Sequence, residues 1–167
     1  MSTEVERVVD PRPVLPDARG TGAGLRVTES VVIERPVAEV FTFAGAYKND
    51  PRWRAGVLEM RQDPPDSPGV GTMTREVMRV FGRRQVTVAK VVEYEPDART
   101  AFESVESSMP VRGYRAFEAV DGGTRFTYEL SAELSPLYSL LATILGPILR
   151  RQVAGDLQKL KALLERD

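Results

Sequence analysis

The sequence predicts an α+β grip, in which a curved seven-stranded antiparallel sheet wraps around a long C-terminal helix. Three observations carry this expectation. Leu137, Leu141, Ile144, Leu145, Ile148, Leu149, Val153, Leu157, Leu160 and Leu164 recur at steps of three and four, the spacing that lays an apolar stripe along a helix. Stretches with strand character and short turns between them fill most of the chain before that helix, so the strands connect as an antiparallel meander. A helix this long must cover something, and only a curved sheet offers enough apolar surface in the remaining residues.

Composition sets the bounds. The chain has 167 residues, 42% hydrophobic and 28% charged, with a net charge of -1, which describes an ordinary globular protein of one domain. It has neither cysteine nor histidine, so no thiolate or imidazole metal site and no disulfide is expected. Any proton transfer falls to Asp, Glu, Tyr, Lys or Arg. No cofactor is expected, and a basic aromatic surface of the kind that binds nucleic acid is lacking. The apolar run Leu137 to Leu149 is shorter than the roughly 20 residues of a membrane span, and the N-terminus lacks the basic-then-apolar pattern expected of a signal peptide. A cytoplasmic location is the expectation.

In chain order, residues 1–24 carry Pro11, Pro13, Pro16, Gly20, Gly22 and Gly24 with few large apolar side chains, and read as a disordered tail before a domain spanning 25–167. The glycine triplet has no strand before it and no helix after it, unlike a dinucleotide loop, and reads as a joint. Leu25 to Glu34 alternates as a first strand. Val37, Val40, Phe41 and Ala44 take helical spacing, and a pair of short helical pieces ends near Asn49-Asp50-Pro51. Trp53 follows, at the expected rim of the grip, and Val57 to Gln62 resumes as strand.

Two hairpins then set the registers. A Gly82-Arg83 turn pairs Val80 with Gln85 and Met78 with Thr87, with Arg75 and Lys90 on the outer side. A Gly122-Gly123 turn pairs Phe117 with Tyr128 and Arg115 with Leu130 on the inner side. Arg99 to Ser107 lies between them. Ser135-Pro136 reads as N-cap and first position of the long helix. Gly146-Pro147 inside the pattern predicts a kink or two helices in sequence.

Val70-Gly71-Thr72, the run Val91 to Pro96, the run Phe117 to Arg125, and Leu149 to Gln152 with Leu157, Leu160 and Leu163 resemble the polyketide cyclase/dehydrase branch of the START-like, or SRPBCC, superfamily. The likeness spans almost all of 25–165. It implies the helix-grip fold of the Bet v 1-like pollen allergens and a cavity for hydrophobic or amphipathic small molecules such as lipids, sterols or polyketides. Only some such proteins are enzymes, and they share no universal catalytic motif.

Arg115 is the most informative residue, because its register sets a guanidinium among Phe117, Phe126, Tyr128, Leu130 and Leu134. Such a charge needs a partner or a ligand. Glu76 is the expected partner on the same inner face. Two readings stand: a structural ion pair, or a catalytic set in which Arg115 polarises a ligand carbonyl, Glu76 moves a proton and Tyr128 offers its phenol. Trp53, Met78, Phe102, Phe117, Phe126, Leu145 and Leu149 are the candidate ligand contacts, each with a plain core role as the alternative. The functional expectation is binding of a hydrophobic or polycyclic ligand, as a cofactor-independent cyclase or dehydrase-type lyase or isomerase, or as a lipid or metabolite carrier. An interaction module working through Leu137 to Leu149, with peripheral membrane contact or a homodimer instead of a monomer, is the third class.

Overall fold

The computed structural model describes residues 24–80, 82–134 and 142–166. The tail, the Ser135-Pro136 cap and the segment through Leu141 lie outside the described residues. β1 (Gly24–Ile33) is followed by α1 (Val37–Ala44), a 3-10 turn (Tyr47–Asn49) and the short α2 (Asp50–Trp53). Then come β2 (Val57–Asp63), β3 (Met73–Val80), β4 (Arg83–Glu95), β5 (Arg99–Ser107), β6 (Val111–Val120), β7 (Gly123–Glu133) and α3 (Ala142–Leu164). The strands form one antiparallel sheet in the order β1-β7-β6-β5-β4-β3-β2, so the meander from β2 to β7 is completed by β1 beside the last strand. This is the helix-grip architecture.

Both hairpins differ from the expected register by two residues, in the same direction. Met78 lies opposite Gln85 and Val80 opposite Arg83. Phe117 lies opposite Phe126 and Arg115 opposite Tyr128. Each turn falls one residue earlier than the sequence suggests, so that its glycine ends the turn: Gly82 has φ +77° and Gly122 φ +80°, a conformation that would strain an arginine at position 83. Gly123 instead joins β7 opposite Val120, where a Cβ would stand 2.1 Å from the Ile33 carbonyl oxygen. A slip of two preserves side-chain parity, so the residues predicted for the inner face stay on it.

α3 runs through Pro147 as one helix, not two. Thr143 and Pro147 both lie on its exposed side, where water can serve the carbonyl that proline leaves unbonded. The C-terminal half packs Val153, Leu157 and Leu160 against Val27, Val31, Ile33, Phe117 and Phe126. Its end is fastened to the end of β1 and the loop after it. Lys161 Nζ donates to the Val32 carbonyl at 2.8 Å, the Glu34 N–H to Glu165 Oε1 at 2.7 Å, and Arg35 Nε to the Leu164 carbonyl at 2.8 Å.

Candidate functional site

Arg115 is 0% exposed at the centre of the inner face. Its guanidinium carbon lies 4.3 Å from the centroid of the Tyr47 ring, 5.4 Å from that of Trp53 and 5.7 Å from that of Tyr128. Nη1 donates to the Ala44 carbonyl at 2.7 Å and Nη2 to Asp50 Oδ2 at 2.6 Å. The partner is therefore Asp50 and not Glu76. Asp50 opens α2, a four-residue helix, and that turn of chain carries the carboxylate over the sheet to the arginine.

The charges continue outward. Arg54, four residues after Asp50, donates from Nη1 to Asp50 Oδ2 at 2.9 Å and also to Glu76 Oε2. Glu76 stands on the inner face of β3 opposite Thr87. The Arg54 and Glu76 side chains keep 10% and 14% exposure, against 1% and 0% for Arg115 and Asp50. The row Arg115–Asp50–Arg54–Glu76 thus alternates in sign and leads from a sealed end to an accessible one. Burial works against both guanidinium charges, but the Glu76 and Asp50 carboxylates outweigh it for Arg54, and Asp50 for Arg115, holding both pKa values above the usual arginine value. Burial pushes the Tyr47 phenol up to about 12 against the pull of Arg115, and raises Tyr128 likewise against Arg54 and Arg115. Both remain protonated donors at neutral pH. Tyr47 is bonded to Thr100 Oγ1 at 2.8 Å. Asp50 Oδ1, Trp53 Nε1, Arg115 Nε and the Tyr128 hydroxyl are buried without a partner among the described residues.

Trp53 is fully buried, edge-on to Phe126 at 5.9 Å and to Tyr128 at 6.1 Å. It forms the floor of the ion-pair cage and not the rim, because α2 turns it inward. Phe117 and Phe126 also belong to the solid core, 5.1 Å apart. Phe102 and Leu149 pack against that core but stay partly exposed, and Met78, also of the inner face, and Leu145 stay partly exposed outside it. No residue of α3 from 142 to 152 is buried, whereas Val153, Asp156, Leu157 and Leu160 are. Gly56 marks where the two regions meet, since a Cβ there would lie 3.1 Å from Gln152 Nε2 and 3.5 Å from Met78 Cε. Two open clefts, of about 450 and 410 Å³, lie elsewhere, around α1 and the β2–β3 loop, and none of the predicted ligand contacts lines them. Asp50 and Arg54 escaped the sequence reading. Their i, i+4 spacing beside the only tryptophan was the available signal.

The sequence profile of the family described as polyketide cyclase / dehydrase and lipid transport matches residues 24–165. The chain belongs to this family. Solved structures agree with that cyclase/dehydrase assignment at the level of fold. A Thermus thermophilus protein aligns with a TM-score of 0.72 at 21% identity, covering 84% of this chain and 97% of its own. The Zhui aromatase/cyclase of a Streptomyces species aligns with 0.69 at 14% identity, covering 86% and 94%. The di-domain aromatase/cyclase StfQ of the steffimycin biosynthetic pathway aligns with 0.70 at 14% identity, covering 86% of this chain and 52% of its own. Comparison with curated proteins gives no match. Among the described residues of this cyclase/dehydrase family member, no helix is long and apolar enough to cross a membrane.

Proposed function

We propose that the protein binds a hydrophobic or polycyclic small molecule between the sheet and the first half of α3, with the ligand's polar end directed at Glu76 and Arg54. The observation that carries this reading is the partial exposure of Met78, Phe102, Leu130 and Leu149, apolar side chains of the inner face and of the helix above it. Phe102, Leu130 and Leu149 pack against the core yet keep part of their surface uncovered, and covering that apolar remainder is favourable, at about 25 cal/mol per Å² buried. Family membership supports the same reading.

Proton-transfer catalysis on that ligand is the second reading, favoured by the accessible Glu76 carboxylate beside a fixed guanidinium. Glu76 would take a proton from carbon next to a carbonyl, and Arg54, released as the Glu76 carboxylate is neutralised, would stabilise the developing enolate. Arg115 acts through Asp50 here, as a positioning residue, and Tyr128 lines the cage behind. Nile red fluorescence tests the binding reading. The dye is expected to brighten and shift blue with the native protein, and Leu149→Trp, which fills the space, to weaken binding at least about tenfold with an unchanged unfolding midpoint. Native-like dye binding by the tryptophan variant, or no binding by the native protein, overturns it.

A further inference from the structure

The charges around the open half determine which polar ends it can accept. Arg54 is the outer cation of the buried row, and it is occupied twice, by Asp50 and by Glu76. Arg115 is sealed and matched by Asp50. On the helix side, Arg150 pairs with Glu29 of β1 at 3.3 Å, and Asp156 faces the Ala55 N–H at 3.0 Å. Arg54, Arg115 and Arg150 are thus each matched by a carboxylate, and Lys159 also acts on Asp156. Glu76 binds Arg54 through Oε2, while Oε1 has no hydrogen-bond partner among the described residues. The polar groups nearby on the sheet, Thr74, Gln85 and Thr87, are uncharged.

A carboxylate ligand brought into this space would lose its hydration, face Glu76 at close range, and find Arg54 already engaged. A hydroxyl donor meets the opposite situation, because Glu76 Oε1 is an ionised acceptor, and charge-assisted hydrogen bonds are the strong ones.

We propose that Glu76 is a charge filter: by occupying Arg54 and presenting Oε1, it makes the site select neutral phenols, enols or alcohols on an apolar body over the corresponding carboxylates. The inference rests on the binding site proposed above and adds its specificity.

Calorimetric titration of the native protein with naphthol, naphthoate and methyl naphthoate at neutral pH tests it. Naphthol is expected to bind at least about tenfold more tightly than naphthoate, with the neutral ester between them. Glu76→Gln, which keeps shape and removes one of the two carboxylates on Arg54, is expected to narrow or reverse that preference. Equal affinity for naphthol and naphthoate in the native protein overturns the filter but leaves the site standing. Failure of all three compounds to bind removes the site itself. A Glu76→Gln protein that keeps the native preference, and still melts cooperatively, assigns the selectivity to other groups and also overturns the proposal.

Discussion

The two halves of α3 lie over the same sheet and share one helix, yet they do different work. From Val153 onward the helix contributes Val153, Leu157 and Leu160 to a continuous core and ends in three hydrogen bonds to β1 and the loop after it. From Ala142 to Gln152 it buries nothing fully, and Ile144 and Ile148 stand 62% and 53% exposed. The first arrangement is what a fold needs, and the second gives up packing that the ligand proposed above would restore. Separating them along one helix lets the closed half supply the stability that the open half gives up.

That division can be broken most sharply at Asp50. Replacing Asp50 by Ala leaves Arg115 fully buried with only the Ala44 carbonyl as a charge-assisted partner, and it also loosens Arg54. The expected loss is about 3–5 kcal/mol of unfolding free energy, read from urea denaturation. Glu76→Gln, at the less deeply buried end of the same row, leaves Arg54 its Asp50 contact and is expected to cost less, about 1–3 kcal/mol. Comparable losses at the two positions would mean that the row is one structural unit, with no functional end.

A smaller contrast lies on the helix itself. Leu157→Ala removes a fully buried side chain and is expected to cost about 2–5 kcal/mol. Leu149→Ala, two turns earlier and only half-buried, is expected to cost about 1 kcal/mol or less. The same denaturation series checks both, and a Leu149 cost equal to that of Leu157 would show the open half to be packed after all.

How much of this was legible in the sequence follows the range of each interaction. Strands, helix and the inner-face assignment of Arg115, Phe117 and Phe126 follow from local periodicity, and they survived a two-residue slip in both hairpins because parity is insensitive to it. The registers themselves turned on which glycine of a turn takes positive φ and which lies against Ile33, a tertiary contact that pattern does not carry. The partner of Arg115 was missed for the same reason. Asp50 sits 65 positions away in sequence, in a helix of four residues with no periodicity to read, and only the requirement that a buried guanidinium meet a carboxylate pointed toward it. Trp53 was misplaced with it, since both are oriented by that one turn.

The finest probe of the division lies at its boundary, where Asp156 on α3 holds the Ala55 N–H just after α2. Burial raises the Asp156 carboxyl above its ordinary 3.8, against the opposing pull of that N–H and of Arg54. A carboxyl whose folded-state pKa is raised binds its proton more tightly in the folded protein, so its stabilising contribution is present at low pH and is lost as pH rises through the folded value. At neutral pH the ionised group is therefore a small liability. Asp156→Asn keeps an oxygen to accept from Ala55 and removes the charge. It is expected to raise stability by up to about 0.5 kcal/mol at neutral pH, with the gain shrinking as pH falls below the raised pKa. Unfolding free energies of both proteins measured across that range check the sign. A destabilised asparagine variant at neutral pH would mean that the carboxylate charge, facing Arg54, helps hold the two halves together, and the boundary would then belong to the ion-pair row and not to the core.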